Sequence, residues 1–483
     1  MITSQDFAVI APELVLVGGA LLILLVDAFW PAVVGSIGAV ATAIVTFIAL
    51  IILQQANPAL PPAFGVLRSD AFSNFIGFVV LFSAFLVALL SWGYLDARRL
   101  AVGEYMAGLL IASAGMILIG RSSNLMVIFI ALEILSIALY MLIAYQRTEG
   151  DSAEAGLKYF ILGAFASAIY VFGMTLVYGA TGSMVLTADS ALLHSPLGMA
   201  GLALLIVGMG FKVSIVPFHL WTPDVYQGAP APVTAFLSSA SKAAGLAALL
   251  RIVYPGLAGL DATWVRMWPL LAMLTMAVGN VIALVQEDVK RILAYSSVVH
   301  VGFILMALSG TARVGAEGVL FYLFTYAVAS VGAFGVVAAM PGDEHGRVDL
   351  HYVRGLSRSH PALAALMTLF LLSLAGVPPL LGFMGKIYAF RAALAARLYL
   401  LAVFGALMAA MALYYYLRII VRMYMEPRAE PLTFRVSQTF YPPLAVVAII
   451  VVLLGLFPSG AFDLAVSSAR AIVPLVTTTG IQF

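Results

Sequence analysis

Five lysines are the residues of this chain whose type and position are best suited to chemistry. Only five occur among 483 residues, and Lys158, Lys212, Lys242 and Lys386 lie inside stretches apolar enough to cross a membrane. Lys290 stands at the edge of another such stretch, whereas the arginines lie mostly in connecting segments. An ammonium group near the centre of a bilayer costs roughly 2.5–3.5 kcal/mol on insertion scales. Lysines placed there despite that cost indicate movement of charge or protons through a membrane.

Lys212 precedes Pro217 by five residues inside one apolar run. Proline cannot donate a backbone hydrogen bond and its ring crowds the preceding turn, so we predict a broken helix at this point. A carbonyl freed at membrane depth needs protein or water as its partner, which indicates a hydrated cavity beside the lysine. The alternative is a lysine that only snorkels to the surface.

Two further lysines lie equally deep in apolar runs. Lys242 is the tenth residue of Val233–Val253, among small residues that leave room for water. Lys386 follows Pro378 and Pro379 by about two helical turns, which repeats the arrangement of a break beside a lysine. We predict that both carry protons.

The other ionisable groups inside apolar runs are less decisive. Glu133 is the ninth residue of its run and is either a neutral, hydrogen-bonded carboxyl or a transport group. His300 lies at the midpoint of its run and titrates near pH 6.5 when unperturbed, although a lone helical histidine often serves packing. Lys158 is only the fourth residue of its run, so snorkelling explains it as well as function does.

Composition places these residues in a membrane protein. A hydrophobic fraction of 63% with 10% charged residues excludes an ordinary soluble domain, where about a quarter of residues are charged. Runs of about twenty apolar residues recur throughout, each long enough to span a membrane as a helix. We predict an all-α polytopic fold with about 14 transmembrane helices near residues 8–28, 32–53, 71–92, 105–120, 124–145, 155–179, 199–220, 230–254, 263–285, 291–309, 315–340, 360–395, 399–424 and 439–457.

The proline breaks suggest an internal repeat. Spans 7 and 12 each combine a break with a lysine, and spans five apart enter the membrane from opposite sides. A five-helix unit used twice would therefore be inverted, as in many transporters. The predicted division is an N-terminal three-helix segment (1–100), a first repeat (101–255), a second repeat (256–430) and a last helix with its tail (431–483).

Basic residues and the absence of cysteine narrow the setting of the protein. The N-terminus has no basic residue before the first apolar run, so that run is interpreted as a retained helix and not a secretory signal. More basic residues fall in the connections on one side of the membrane, including Arg98, Arg99, Arg347 and Arg354. That bias predicts that both termini face outward. The lack of cysteine excludes disulfides and iron–sulfur ligation by thiolates on this chain.

Five segments resemble a known family, over nearly the whole chain and in the same order. They are GFKVSIVPFHLWTPDVYQGAPAPVTAFLSSASKAAG (210–245), LEILSIALYML around Glu133, GLKYFILGAFASAIYVFGMTLVYGATGS from Gly156, EDVKRILAYSSVVHVGF from Glu287 and GVPPLLGFMGKIYAF from Gly376. Together they resemble the subunit N family of bacterial respiratory complex I, the proton-translocating NADH:quinone oxidoreductase. Lys386 in place of a glutamate separates the chain from the M type, and its end soon after span 14 separates it from the L type.

The resemblance implies a fold of fourteen helices with two inverted five-helix repeats. It implies an ion pair of Glu133 with Lys212, proton carriage by Lys242 and Lys386, and accessory roles for Lys158, Lys290 and His300. Partners would be other membrane-arm subunits (the L and M types and the small K, J, A and H types), the peripheral redox arm and lipid, with no nucleic acid. The resemblance places the chain in the bacterial cytoplasmic membrane. Flavin, iron–sulfur clusters and quinone would lie on other subunits, and this chain would hold no cofactor or metal.

Two alternatives follow from the same residues. The first alternative is a subunit of an Mrp-type cation/proton antiporter, which shares this architecture and has no redox partner. The second alternative is a structural membrane subunit with vestigial charges. Quinone reduction on this chain itself has little support, because the plentiful aromatic residues are expected at bilayer interfaces.

Overall fold

The computed structural model describes residues 3–57, 60–186, 195–256, 262–343, 346–428 and 432–473. Within these ranges the chain is helical, and its only β-structure consists of isolated bridges. The α-helices of these ranges are α1 Ser4–Val9, α2 Ala11–Phe29, α3 Pro31–Gln55, α4 Ala71–Arg98, α5 Gly103–Arg121, α6 Leu125–Ile143, α7 Gly150–Thr181, α8 Pro196–Val213, α9 Trp221–Gly228, α10 Ala231–Phe236, α11 Lys242–Gly256, α12 Ala262–Val285, α13 Val289–Leu308, α14 Ala312–Ala338, α15 Leu356–Ser359, α16 Pro361–Ala375, α17 Leu381–Ala395, α18 Tyr399–Met425, α19 Tyr441–Leu456 and α20 Ser459–Ile472.

The prediction of an all-α, multi-pass membrane protein is confirmed. Among the described residues, 13 helical segments are long and apolar enough to cross a membrane. The remaining predicted span, number 12, is present as the two shorter helices α16 and α17. Span 7 is likewise divided into α8 and α9, and a cis bond precedes Pro217 in one break and Pro379 in the other.

Two features differ from the expected pattern. The eighth span is not a uniform α-helix, because the π-helical turn Leu237–Ser241 separates α10 from α11 and ends directly before Lys242. Single π turns inside α-helices occur frequently at functional sites. In addition, α20 follows the last predicted span and packs against α4, α14 and α11.

The two halves of the chain share a local device at equivalent places. Asn124 caps the start of α6 by accepting hydrogen bonds from the backbone N–H groups of Met126 and Val127, and it forms an antiparallel bridge with Val185, after α7. Asp288 caps the start of α13 in the same way and bridges to Asp349, after α14. Each device fixes the start of one helix against the end of the next.

Helix neighbours also correspond between the halves. The pairs α5–α6, α6–α7, α7–α8 and α5–α11 match the pairs α12–α13, α13–α14, α14–α16 and α12–α18. Corresponding helices lie five spans apart, so they run in opposite directions. These pairings support the inverted repeat.

The core lies where the two halves meet. The segment from α10 to α11 and the helices α13 and α14 are almost wholly buried, whereas α2, α3, α7 and α18 present large apolar side chains outward. Outward apolar surface of this extent fits lipid or neighbouring membrane subunits. The buried helices are those that carry Lys242, Lys290 and His300.

Candidate functional site

Lys212 lies at the last turn of α8, beside the predicted break. The helix ends with Ser214 in the left-handed region (φ 69°), and the indole Nε1 of Trp221 donates to the carbonyl of Phe211 at 2.9 Å. The Lys212 ammonium is buried and donates to Tyr159 Oη at 2.8 Å and Ser136 Oγ at 3.1 Å. The bond from Trp221 ties the start of α9 to the last turn of α8 across the break.

Glu133 is not paired with Lys212 in this structure. Both are described residues, and the ion pairs within 4.0 Å among the described residues involve other groups. Glu133 is half-buried and accepts a hydrogen bond from Ser167. The ion pair implied by the family resemblance is thus open here, because each group is satisfied by hydroxyls of its own.

A small cavity lies between Lys212 and Ser167, the hydrogen-bond partner of Glu133. It measures about 30 Å³, and its lining includes Ser167 on the Glu133 side and Ser136, Tyr159 and Lys212 on the other. A space of this size with several polar partners holds one or two water molecules. The hydration that the broken helix predicted therefore has a place beside Lys212.

Lys242 begins α11 directly after the π turn. Its ammonium is buried and donates to the Oγ of Ser297 and, at 3.1 Å, to the carbonyl of the same residue. The ring of Tyr326 lies below it, with the centroid 5.9 Å away. Within the π turn, the hydroxyls of Ser238 and Ser239 donate to the carbonyl of Ala235, and Lys242 follows the turn directly.

His300 joins Lys242 to the second broken helix through aromatic residues. Its Nδ1 lies 2.8 Å from Tyr322 Oη and its Nε2 3.1 Å from Tyr416 Oη. Tyr326 packs on the same imidazole ring, with the centroids 4.8 Å apart. The histidine is buried and bonded on both nitrogens, which a pure packing role does not require.

Lys386 lies on α17 and reaches back across the second break. Its ammonium donates to the carbonyl of Ala375, the last residue of α16, at 2.6 Å, and lies 5.2 Å from the centroid of Phe303. Lys212 and Lys386 thus both sit at a helix break, as predicted. Lys212 uses hydroxyl partners, whereas Lys386 satisfies a freed carbonyl directly.

Gly376 permits the position of Lys386, and its replacement is a test of that position. Gly376 ends α16 with φ 83°, and an added Cβ would lie 2.7 Å from Lys386 Cδ and 3.1 Å from its Nζ. We expect Gly376→Ala to displace the lysine and to reduce the proton transfer that is predicted for it. Gly182 ends α7 with φ 69° and has open space around it, so Gly182→Ala imposes a similar backbone cost of about 1–2 kcal/mol without the clash. Equal pumping by the two variants would show that Lys386 needs no fixed position.

Lys290 faces a polar cavity at the end of the bundle that the arginine pattern assigns to the cytoplasm. Its ammonium donates to the carbonyls of Gln227 at 2.5 Å and Ala229 at 2.7 Å. The cavity measures about 470 Å³, and its lining also includes Asp288 and Arg347. Burial raises the pKa of the Asp288 carboxyl above its usual value, although the N–H of Arg291 opposes this. The cavity is large enough for many water molecules.

Lys158 is separate from the buried row. Its side chain is 41% exposed and forms ion pairs with Glu154 at 2.7 Å and Asp224 at 2.8 Å, while Asp224 also pairs with Arg291. Exposed pairs of this kind contribute little free energy, at most about 1 kcal/mol. The structure thus places Lys158 in a surface network and keeps its role a prediction.

Sequence reasoning missed the hydroxyl partners and two buried ion pairs. The hydroxyls are those of Ser136, Tyr159, Ser167, Ser297, Tyr322 and Tyr416. Arg121 is fully buried, with its Nε 2.8 Å from Glu13 Oε1. Arg251 binds both carboxylate oxygens of Asp70 and the carbonyl of Gly120. The sequence signal for these hydroxyls is limited to spacing. Ser136 follows Glu133 by three residues and His300 follows Ser297 by three, which puts each pair on one helix face.

Among the described residues, no group of three or more His, Cys, Asp or Glu side chains is arranged to hold a metal ion. The family described as NADH:quinone oxidoreductase/Mrp antiporter, transmembrane, matches residues 122–412. The NADH-quinone oxidoreductase subunit N 2 of Roseiflexus castenholzii is 42% identical over 415 residues, which cover 83% of this chain and 83% of that protein.

Solved structures show the same fold. A chain of respiratory complex I from Thermus thermophilus with bound aureothin matches with a TM-score of 0.81 at 35% identity, over 94% of this chain and 99% of that chain. A chain of the Mrp complex from Dietzia sp. DQ12-45-1b matches with a TM-score of 0.86 at 19% identity, over 98% of each chain. At 19% identity the second likeness shows the fold alone.

Proposed function

This chain belongs to the NADH:quinone oxidoreductase/Mrp antiporter transmembrane family, and on that premise we propose how it works as the antiporter-like subunit N of a quinone-reducing, proton-translocating respiratory complex. It contributes no redox centre of its own and moves protons through buried acidic and basic side chains. The observation that carries the proposal is the row of three buried ammonium groups, those of Lys212, Lys242 and Lys386.

The first transfer step is controlled by Glu133 and Lys212. A carboxylate brought close to an ammonium favours the protonated lysine, and its withdrawal favours proton loss. The open arrangement, with Glu133 on Ser167 and Lys212 on Ser136 and Tyr159, fits the state in which Lys212 can release its proton. The energy that closes and opens the pair arrives through neighbouring subunits.

Lys212 and Lys242 are linked by close helix contact. A Cβ added to Gly245, three residues after Lys242, would lie 2.8 Å from Val213 Cγ1 and 3.3 Å from Lys212 Cγ. Tyr159, which accepts from Lys212, also interacts with Ser241. We propose that the proton passes along these hydroxyls to Lys242, and then through Ser297 and the His300 tyrosines toward Lys386.

The cytoplasmic cavity at Lys290 supplies protons to this route. It is polar and near the start of α13, the helix that also carries Ser297 and His300. Lys290 lines this cavity, and its ammonium donates hydrogen bonds to the carbonyls of Gln227 and Ala229. Lys158 remains an accessory on the surface beside this entrance.

The surface around Glu133 is proposed as a contact with a neighbouring membrane subunit. Glu133 is half-buried and is flanked on α6 by Ile130, Ile134 and Ile137, which are exposed. A carboxylate partly facing lipid at mid-membrane is costly, so a covering subunit shields it and adds a hydrogen-bond donor or a cation to the bond from Ser167. L- and M-type and small membrane subunits, together with a peripheral arm holding flavin and iron–sulfur clusters, are the proposed partners.

The proposed setting is the bacterial cytoplasmic membrane, with both termini outward. We assign residues 1–100 to an N-terminal segment, 101–255 and 256–430 to the two inverted repeats, and 431–483 to the last helix and tail. The arginine bias supports this orientation.

Purification of the native assembly tests the proposal. We expect this chain to co-purify with flavin- and iron–sulfur-containing peripheral subunits and to support proton translocation driven by electron transfer to quinone. An assembly containing only membrane subunits, with cation/proton exchange and no electron transfer, would identify the Mrp-type alternative. Mass spectrometry of the subunits and measurement of proton uptake in vesicles distinguish the two.

A further inference from the structure

The twin capping devices fix a residue-by-residue correspondence between α6 and α13. Asn124 and Asp288 cap these helices and bridge to the segment that follows the next helix. Counted from each cap, Glu133 of α6 and Ser297 of α13 occupy the same position. The second half of the chain therefore has a neutral hydroxyl where the first half has a carboxylate.

Ser297 is the direct partner of Lys242. The residue is fully buried, and both its Oγ and its carbonyl accept hydrogen bonds from the Lys242 ammonium. Because the ammonium donates to the Oγ, the hydroxyl hydrogen of Ser297 is free to donate elsewhere. Tyr226 and Tyr326 interact with the same serine, and Tyr326 packs on His300.

We propose that Ser297 is the relay hydroxyl through which Lys242 gives up its proton, and that a hydroxyl in place of the carboxylate found in the first repeat allows that release. This inference rests on the proposed function. Glu133 binds its proton carrier strongly when the pair closes, whereas Ser297 holds Lys242 without an opposing charge. The first repeat thus loads the proton onto its lysine, and the second repeat passes the proton on.

The transfer conserves atoms and charge. The Lys242 ammonium gives one proton to Ser297 Oγ, and the Ser297 hydroxyl releases its own proton to the hydroxyl oxygen of Tyr326, which interacts with Ser297 and packs on His300. Lys242 is left neutral, and the serine regains its original form without a change in any covalent bond other than O–H and N–H. A serine suits this step because its hydroxyl accepts and donates at once.

Four replacements of Ser297 in the intact complex test the proposal, with proton translocation per electron as the readout. Ser297→Ala removes the hydroxyl and is expected to lower the ratio, because the relayed transfer slows by about a hundredfold or more. Ser297→Thr keeps the hydroxyl and retains pumping, whereas the similarly sized Ser297→Cys does not. Ser297→Asp restores a carboxylate beside Lys242, and the pH optimum of pumping moves upward by about one unit or more.

Ser113→Ala is the matched control, because Ser113 is also fully buried and, among the described residues, its Oγ bonds only to the Leu109 carbonyl of its own helix. Unchanged pumping in Ser297→Ala, or an unchanged pH optimum in Ser297→Asp, would overturn the inference. If the alanine variant does not assemble, the threonine and aspartate variants decide. Lys242→Met, measured under the same conditions, distinguishes failure of the relay from failure of the proposed function. If Lys242→Met still pumps, the proposed function itself is wrong, and not only the relay.

Discussion

Lys212→Met is expected to lower proton translocation per electron sharply, with a loss of about tenfold or more in the transfer through this site. Methionine has a similar length and an apolar side chain, so it fills the space of the lysine without a proton to carry. The replacement also removes the cost of burying an ammonium between Ser136 and Tyr159, so we expect the variant to assemble. The measurement is electron transfer and proton uptake in the same membrane vesicles.

Lys158→Met is the control for this variant. Lys158 has the same residue type and lies in the neighbouring span, but its side chain is 41% exposed in a surface ion-pair network. We expect Lys158→Met to retain most of the pumping. Equal losses in the two variants would contradict the distinction between buried carriers and surface lysines that the structure draws.

Arg121→Leu is expected to have the largest effect on stability. The guanidinium is fully buried against Glu13 and also donates to the carbonyl of Val9, so it joins α5 to α1 and α2. Its removal leaves the buried Glu13 carboxylate without a counter-charge, and breaking such a pair costs about 3–5 kcal/mol. We expect a lower thermal unfolding midpoint and less of the subunit in the purified complex.

The double variant Glu13→Gln with Arg121→Met provides the matching control. Replacing both partners removes the uncompensated charge, so stability should recover in large part, as is common for buried pairs. Pumping by the assembled double variant should equal that of the parent chain, because neither residue lies on the proposed proton route. A double variant as unstable as Arg121→Leu would show that packing of the arginine, and not charge, holds α2.

The breaks and the lysines were predictable because single residues determine them. Pro217, Pro378 and Pro379 remove backbone donors wherever they occur in a helix, and a lysine in an apolar run is conspicuous on its own. Both breaks lie at the predicted places, and thirteen spans plus the broken span 12 reproduce the count. The five-helix correspondence also follows from this spacing.

The partners of these residues could not be predicted, because they depend on which helix faces meet. Tyr159 and Ser136 reach Lys212 from two different helices, and Ser297 on α13 reaches Lys242, which directly follows a π turn. The open Glu133–Lys212 arrangement depends on hydroxyls such as Ser167, whose type does not stand out in a sequence. Arg121 and Arg251 looked like connecting-segment residues, since their carboxylate partners lie far away along the chain.

The claim that buried lysines of this chain carry protons is tested most directly at Lys242, the deepest of them, by counting protons translocated per electron in the intact complex carrying Lys242→Met. The ammonium is buried and bonded only to Ser297 among the described residues, so methionine removes the carrier and little else. The account predicts a lower ratio of protons to electrons with the complex still assembled. An unchanged ratio would contradict it.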